Sequence, residues 1–154
     1  MEISIRDDAI SYLHSLTDQP LLYAIKSPDT ELYEFGLGEQ VEVVNRCGKR
    51  KKIGTYILHA VCRFKVIWKV GAHRVDKYYE DTPFERFHAE IRYLLGLKVR
   101  RVALSDKNDL WLDFGDYWIV FATYENGEES WRFFTSSRDF PHLVASDSWL
   151  YFSD

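Results

Sequence analysis

From Asp109 to Phe134 the chain reads DLWLDFGDYWIVFATYENGEESWRFF, with three tryptophans, two tyrosines and four phenylalanines in 26 residues. Side chains this large and flat suit the pleated, half-buried surface of a sheet. Two turn signals cut the run. Gly115-Asp116 is a two-residue loop with glycine first, and Asn126-Gly127 is a strong hairpin dipeptide. The stretch therefore predicts strands at 109–114, 117–124 and 130–134, paired in sequence as a meander. Alternation sends Trp131 and Phe133 inward and Arg132 outward. Phe134 then also faces out, so Trp118 and Phe134 are candidates for one exposed apolar patch, a common mark of an interface. The run holds no cysteine, no histidine and no metal-ligand spacing. It constrains the fold more than the chemistry.

The rest of the chain supplies two helices and more sheet. Ile5, Ala9, Tyr12, Leu13 and Leu16 fall at helical spacing, and Asp7 and Asp8 suit a first turn, where the helix dipole is positive. Leu21–Ile25 is a short apolar strand. ELYEF and QVEVV near 31–44 read as two strands with Gly36 and Gly38 as their turn. Residues 46–52 form a basic loop around Gly48, 53–68 is two strands or one with a bulge, and Val75–Tyr79 is an edge strand. Thr82-Pro83-Phe84-Glu85 has the form of a capping box with proline at the first helical position. Phe84, Phe87, His88, Ile91 and Leu95 then make one buried stripe, and Gly96 supplies the left-handed stop. Leu143–Ala145 and Trp149–Phe152 close the chain as short strands. Glu31-Leu-Tyr-Glu-Phe-Gly resembles Asp109-Leu-Trp-Leu-Asp-Phe-Gly, which suggests a remote duplication with one sheet unit on each side of the central helix. The fold class expected is α+β: an antiparallel, meander-rich sheet with one or two helices packed on one face, over a single domain 1–154.

Composition narrows the function classes. Twenty basic residues against 24 acidic ones leave a net charge of −4. That argues against a general nucleic-acid binder, which carries a basic face. Two cysteines, Cys47 and Cys62, make no disulfide framework in 154 residues. The first ten residues lack the basic start and apolar run of a secretory signal, and no apolar run is long enough to span a membrane. The expectation is a cytoplasmic chain with reduced thiols and no membrane partner.

Candidate chemistry is sparse. His59 and Cys62 would pair as nucleophile and base or as metal ligands, with Arg63 beside them. Residues three apart on a strand point to opposite faces, however, and no further ligands stand at zinc spacing. A core histidine and an inert thiol are the plainer reading, with no metal and no cofactor. His142 could act as a base with Asp139 or Asp109, but no serine or cysteine stands in a nucleophile setting. Asp109 and Asp113 share a strand face at about 13 Å, too far for a glycosidase pair. Arg46, Lys49, Arg50, Lys51 and Lys52, and Lys98, Arg100 and Arg101, are basic runs without interleaved aromatics, so they read as solvated surface. Asp113, Asp116, Trp118, Glu125 and Glu128 are left as an acidic, aromatic docking patch.

Three pieces together resemble a family of small bacterial proteins: Tyr56-Ile-Leu-His59-Ala-Val-Cys62-Arg63-Phe64, Asn108-Asp109-Leu-Trp-Leu-Asp-Phe114-Gly115, and Glu129-Ser-Trp131-Arg132-Phe-Phe with Pro141-His142-Leu-Val144. The order and spacing fit from about residue 30 onward. Near Arg63-Phe64 the family tends instead to show a proline and a tryptophan. The resemblance implies an α+β fold and no reaction. The chain is also similar in kind to the small, mildly acidic, one-domain immunity proteins of bacterial toxin–immunity loci. That likeness implies a non-enzymatic protein-binding module. It would occlude a cognate toxin domain, with the acidic patch on a basic toxin surface; apart from that likeness, a structural or homo-oligomeric role stays open. The alternative is a small-ligand-binding protein or enzyme with a site around His59, Cys62 and Arg63.

Overall fold

The computed structural model describes residues 5–28, 30–61, 63–79, 82–137 and 139–153, with residues 70 and 84 by their backbone alone. Alternating burial along the strands builds the molecule. In β7 (Leu110–Asp113) and β9 (Trp131–Thr135) every second side chain is buried, and those side chains meet across one core. The other strands are β1 (Leu21–Lys26), β2 (Tyr33–Val44), β3 (Arg50–Ala60), β4 (Phe64–Val70), β5 (His73–Tyr79), β6 (Arg101–Leu104), β8 (Tyr117–Phe121), β10 (His142–Ala145) and β11 (Leu150–Ser153). All pair antiparallel, as a six-stranded sheet β1-β2-β3-β9-β10-β11 and a five-stranded sheet β5-β4-β8-β7-β6. With helices α1 (Ile5–Leu13) and α2 (Phe84–Ile91) packed against them, the fold is α+β.

The sheets meet through aromatic edges. Phe35 lies 5.3 Å from Phe64 and 5.1 Å from Phe121, and Tyr33 lies 4.9 Å from Phe64. Such edge-to-face pairs add to the gain from burying the rings. The helices wedge between sheet edges. Tyr12 of α1 sits on Phe133 of the six-stranded sheet while Leu13 faces Val102 and Leu104 of β6. Phe87 of α2 packs on Tyr33 from one sheet and on Phe64 and Tyr79 from the other. The outer faces of both sheets are left bare of helix among the described residues.

The two halves repeat one plan: helix, 3-10 turn, three-strand meander, then two or three strands that cross to the other half's sheet. Their junctions match hydrogen bond for hydrogen bond. Asp18 N–H donates to Val99 O and Gly96 N–H to Leu21 O; Leu21 N–H donates to Leu97 O and Val99 N–H to Gln19 O. At the crossings Val61 N–H donates to Ser130 O and Ala122 N–H to Arg63 O. β2 and β7, which carry the two similar sequences, are equivalent strands of this repeat. The expectation of one sheet per half is corrected: β9–β11 join β1–β3, and β4–β5 join β6–β8. The crossing strands β4 and β9 send Phe64, Val66, Trp131 and Phe133 into the one shared core.

Other expectations change for local reasons. Gly36 and Gly38 do not turn the chain; β2 runs through both. Gly36 lets the Tyr23 ring lie against the backbone, where a Cβ would come within 2.2 Å of it, and Gly38 takes φ +92 at a bulge. Asn126-Gly127 does not join a hairpin, because β8 and β9 lie in different sheets and the turn makes the crossing. Thr82 and Glu85 form no capping box: Pro83 is the cap residue and no side chain caps the helix. The α2 stripe is Phe87, Ile91 and Leu94; Leu95 is 40% exposed because a 3-10 turn at Arg92–Leu94 shortens the last step. The Phe84 side chain lies outside the described residues. Ile5 is also exposed.

Candidate functional site

The bare outer face of the five-stranded sheet carries an aromatic pair. Register places Asp76, Ile67, Trp118, Asp113 and Arg101 in one row across all five strands, with Tyr78, Lys65, Val120, Trp111 and Ala103 in the next. Trp111 and Trp118 meet edge to face at 5.6 Å. Lys69 Nζ stands 4.2 Å over the Trp118 ring and the Arg74 guanidinium 5.7 Å from it. A hollow of about 170 Å³ opens between Trp111, Trp118, Asp113, Arg101 and Ala103.

Asp113 is neutralised in place. Its carboxylate accepts from Lys69 Nζ at 3.1 Å and from Gly115 N–H at 2.8 Å, and Arg101 stands 3.5 Å away. Burial pushes its pKa up, but the Gly115 N–H and Lys69 outweigh burial and hold it below the usual carboxylate range. The Trp118 indole N–H is close enough to favour that charge yet makes no hydrogen bond, so it is buried without a partner. The face expected to be acidic is therefore rimmed by cations.

The outer face of the six-stranded sheet carries a polar relay. Tyr23 O–H donates to Glu34 Oε2 at 2.8 Å, and His59 Nε2 lies 2.8 Å from Glu34 Oε1. An ionised carboxylate only accepts, so His59 holds its proton on Nε2 and Nδ1 faces outward from this bond. The His59 hydrogen bond, then Tyr23, keep the Glu34 carboxyl below its ordinary range against the opposing effect of burial. His59 meets the Phe134 ring edge at 4.9 Å, and His142 stacks on Phe134 at 4.3 Å. Arg132 NH1 lies 3.2 Å from His142 Nδ1 and NH2 donates to Glu129 at 2.7 Å. Arginine cannot accept, so His142 carries its proton on Nε2. Burial, then the Arg132 charge, lower its pKa.

These contacts redistribute the expected site residues. Asp113 and Trp118 are adjacent, and Asp116 sits exposed at the nearby β7–β8 tip. Glu125 and Glu128 lie beyond the opposite end of β8, about 17 Å of strand away; Glu125 pairs loosely with Lys107 at 3.7 Å. Trp118 and Phe134 face outward from different sheets and form no single patch. His142 takes Arg132 as its polar partner in place of Asp139 or Asp109, and Asp109 instead accepts from Thr123 N–H and Oγ1. Arg63 stands over the Tyr78 ring, away from the His59 relay, and Cys62 lies outside the described residues. Sequence reasoning passed over Trp111, Lys69, Glu34 and Tyr23; alternation two residues before Asp113 was the available signal for Trp111.

Among the described residues no group of three or more His, Cys, Asp or Glu is placed to hold a metal ion, and no helix is long and apolar enough to cross a membrane. No family model, no curated protein and no solved structure matches the chain.

Proposed function

We propose that this chain is a protein-binding module of the immunity type, which occludes a cognate toxin domain through the outer face of its five-stranded sheet. The observation that carries the reading is the Trp111–Trp118 pair on a bare face, ringed by Lys69, Arg74 and Arg101. Tryptophan and arginine dominate the energetics of interfaces. Lys69, Arg74 and Arg101 favour a partner surface rich in carboxylates and exposed carbonyls, the reverse of the charge first expected, and long-range attraction would set the on-rate.

The test is co-expression with the product of the neighbouring reading frame, followed by native mass spectrometry. A 1:1 complex is expected, and Trp118→Ser or Arg74→Glu should each weaken it. The Trp118 variant should cost roughly 30-fold or more, about 2 kcal/mol. A lone monomer, or a complex indifferent to both variants while Asp116→Asn with Glu128→Gln disrupts it, would reject this face.

A second reading, a small-ligand site or an enzyme around His59, is favoured by the Tyr23–Glu34–His59 relay. A carboxylate that orients an imidazole is the arrangement acid–base work requires.

A further inference from the structure

The β2–β3 hairpin outruns its sheet. β1 accompanies β2 only to Leu37, and β9 accompanies β3 only to Tyr56. Beyond those points Gln40–Val44 pairs with Arg50–Gly54 and with nothing else. A free two-stranded ribbon is marginal by itself in water. Here the Leu37/Gln40 register shift, with Gly38 at φ +92, bends it. Gly54 lets the β2 backbone close in at this point: a Cβ there would sit 2.7 Å from Leu37 N. Under the ribbon lies a groove of about 610 Å³, lined by Val43, Ile53, Ile57, Phe134, Ser136 and His142 among others.

The tip has its own charge. Arg46, Lys49, Arg50, Lys51 and Lys52 stand against Glu39 and Glu42 on the ribbon of a chain whose net charge is −4. Among the described residues the one ion pair on this tip is Arg50 with Glu42 at 3.4 Å, and it is largely solvated. Such a pair neutralises little.

We propose that the ribbon and groove form a second docking surface, which takes an acidic, extended segment of a partner protein with one apolar side chain seated in the groove. Three features select that occupant. Uncompensated cations attract acid. The groove is mainly apolar, with His142 on its wall. Ser136 N–H closes on Thr55 O; beyond it, among the described residues, no strand pairs with the outer edge of Arg50–Gly54, so an extended segment can continue the line of β9 as an added strand. Nucleic acid fits less well: no aromatic side chain lies between Glu39 and Gly54, and the groove's Phe134 ring is already stacked on His142. The proposal uses no residue of the tryptophan face and stands or falls separately from it.

The test uses the intact chain and a fluorescein-labelled peptide, Asp-Glu-Asp-Phe-Asp-Glu-Asp, followed by anisotropy at low and moderate salt and by amide NMR shifts. Binding is expected, with shifts at Val43, Ile53 and His142. Lys49→Glu with Lys51→Glu, both exposed, should raise Kd at least tenfold with the melting temperature unchanged, and Trp118→Ser should leave it alone. Replacing the peptide's phenylalanine by serine should also weaken it. No anisotropy change up to millimolar peptide, shifts confined to Trp111 and Trp118, or an unaltered Kd in the charge variant would overturn the proposal. So would preferential binding of anionic phosphatidylserine vesicles, or a homodimer that the same charge variant dissolves, since either would name a different occupant.

Discussion

At the scale of single residues, the relay on the six-stranded sheet does structural work that can be measured. Glu34 is only 15% exposed and His59 27%, so their hydrogen bond is shielded from much of the solvent. His59→Ala should cost about 1–2 kcal/mol at pH 7, read by urea denaturation. The sign with pH follows from Glu34. Its folded pKa lies below the ordinary 4.5, so its contribution is present above that value and fades as pH falls towards the folded pKa. The difference between His59→Ala and the parent should shrink along the same limb. A variant as stable as the parent would remove the structural role and strengthen the small-ligand reading. Asp113, another carboxylate, serves a different end: Lys69 reaches it from β4, far away in sequence.

At the scale of elements, α2 is held by its ends and not by a cap. Glu90 near its C-terminus is engaged by Lys77, by Tyr79 O–H at 2.9 Å and by Arg86 Nε at 3.1 Å. The Lys77 hydrogen bond leads these in holding the Glu90 pKa at about 2. A depressed carboxyl contributes stability above the ordinary 4.5 that is lost as pH falls towards 2. Glu90→Gln should therefore flatten the acid limb of thermal stability between those values. An acid limb equal to the parent's would show that Lys77 and Tyr79 do not fasten α2 to β5. The helix itself was legible: its apolar stripe and the Gly96 stop stand in the sequence. Its cap was not, since Thr82 and Glu85 have the right identities but the chain enters the helix through Pro83, and the Thr82 carbonyl accepts from Lys26 Nζ at 2.5 Å.

At the scale of the whole molecule, the exchange of strands makes each half dependent on the other. β3 finds its neighbour in β9, and β4 finds its own in β8. Residues 1–79 and 82–154 produced separately should each lack a cooperative melt, because the inner faces of their meanders would lie open. Mixed, they should recover sheet circular dichroism and a single transition. One half that melts cooperatively as a monomer would show that the crossing pairs are dispensable. The repeat also gives two equivalent outer faces with different chemistry: Trp111 and Trp118 occupy on one sheet the places that Glu34 and Ile57 occupy on the other.

The sequence by itself determined the α+β class, the amphipathic stripe of α2, the Gly115-Asp116 hairpin, and the alternation of Trp131, Arg132 and Phe133. Each of these rests on neighbours a few residues apart, where side-chain period and turn chemistry act. Only the tertiary structure decided that the strands form two sheets, that Asn126-Gly127 serves a crossing, that Asp113 is cancelled by Lys69, and that Glu125 lies a strand's length from Asp116. Period-two alternation says which face of a strand is buried and leaves its partner open. The backbone groups that pair strands are the same at almost every residue, so the choice of partner falls to the packing of the whole core.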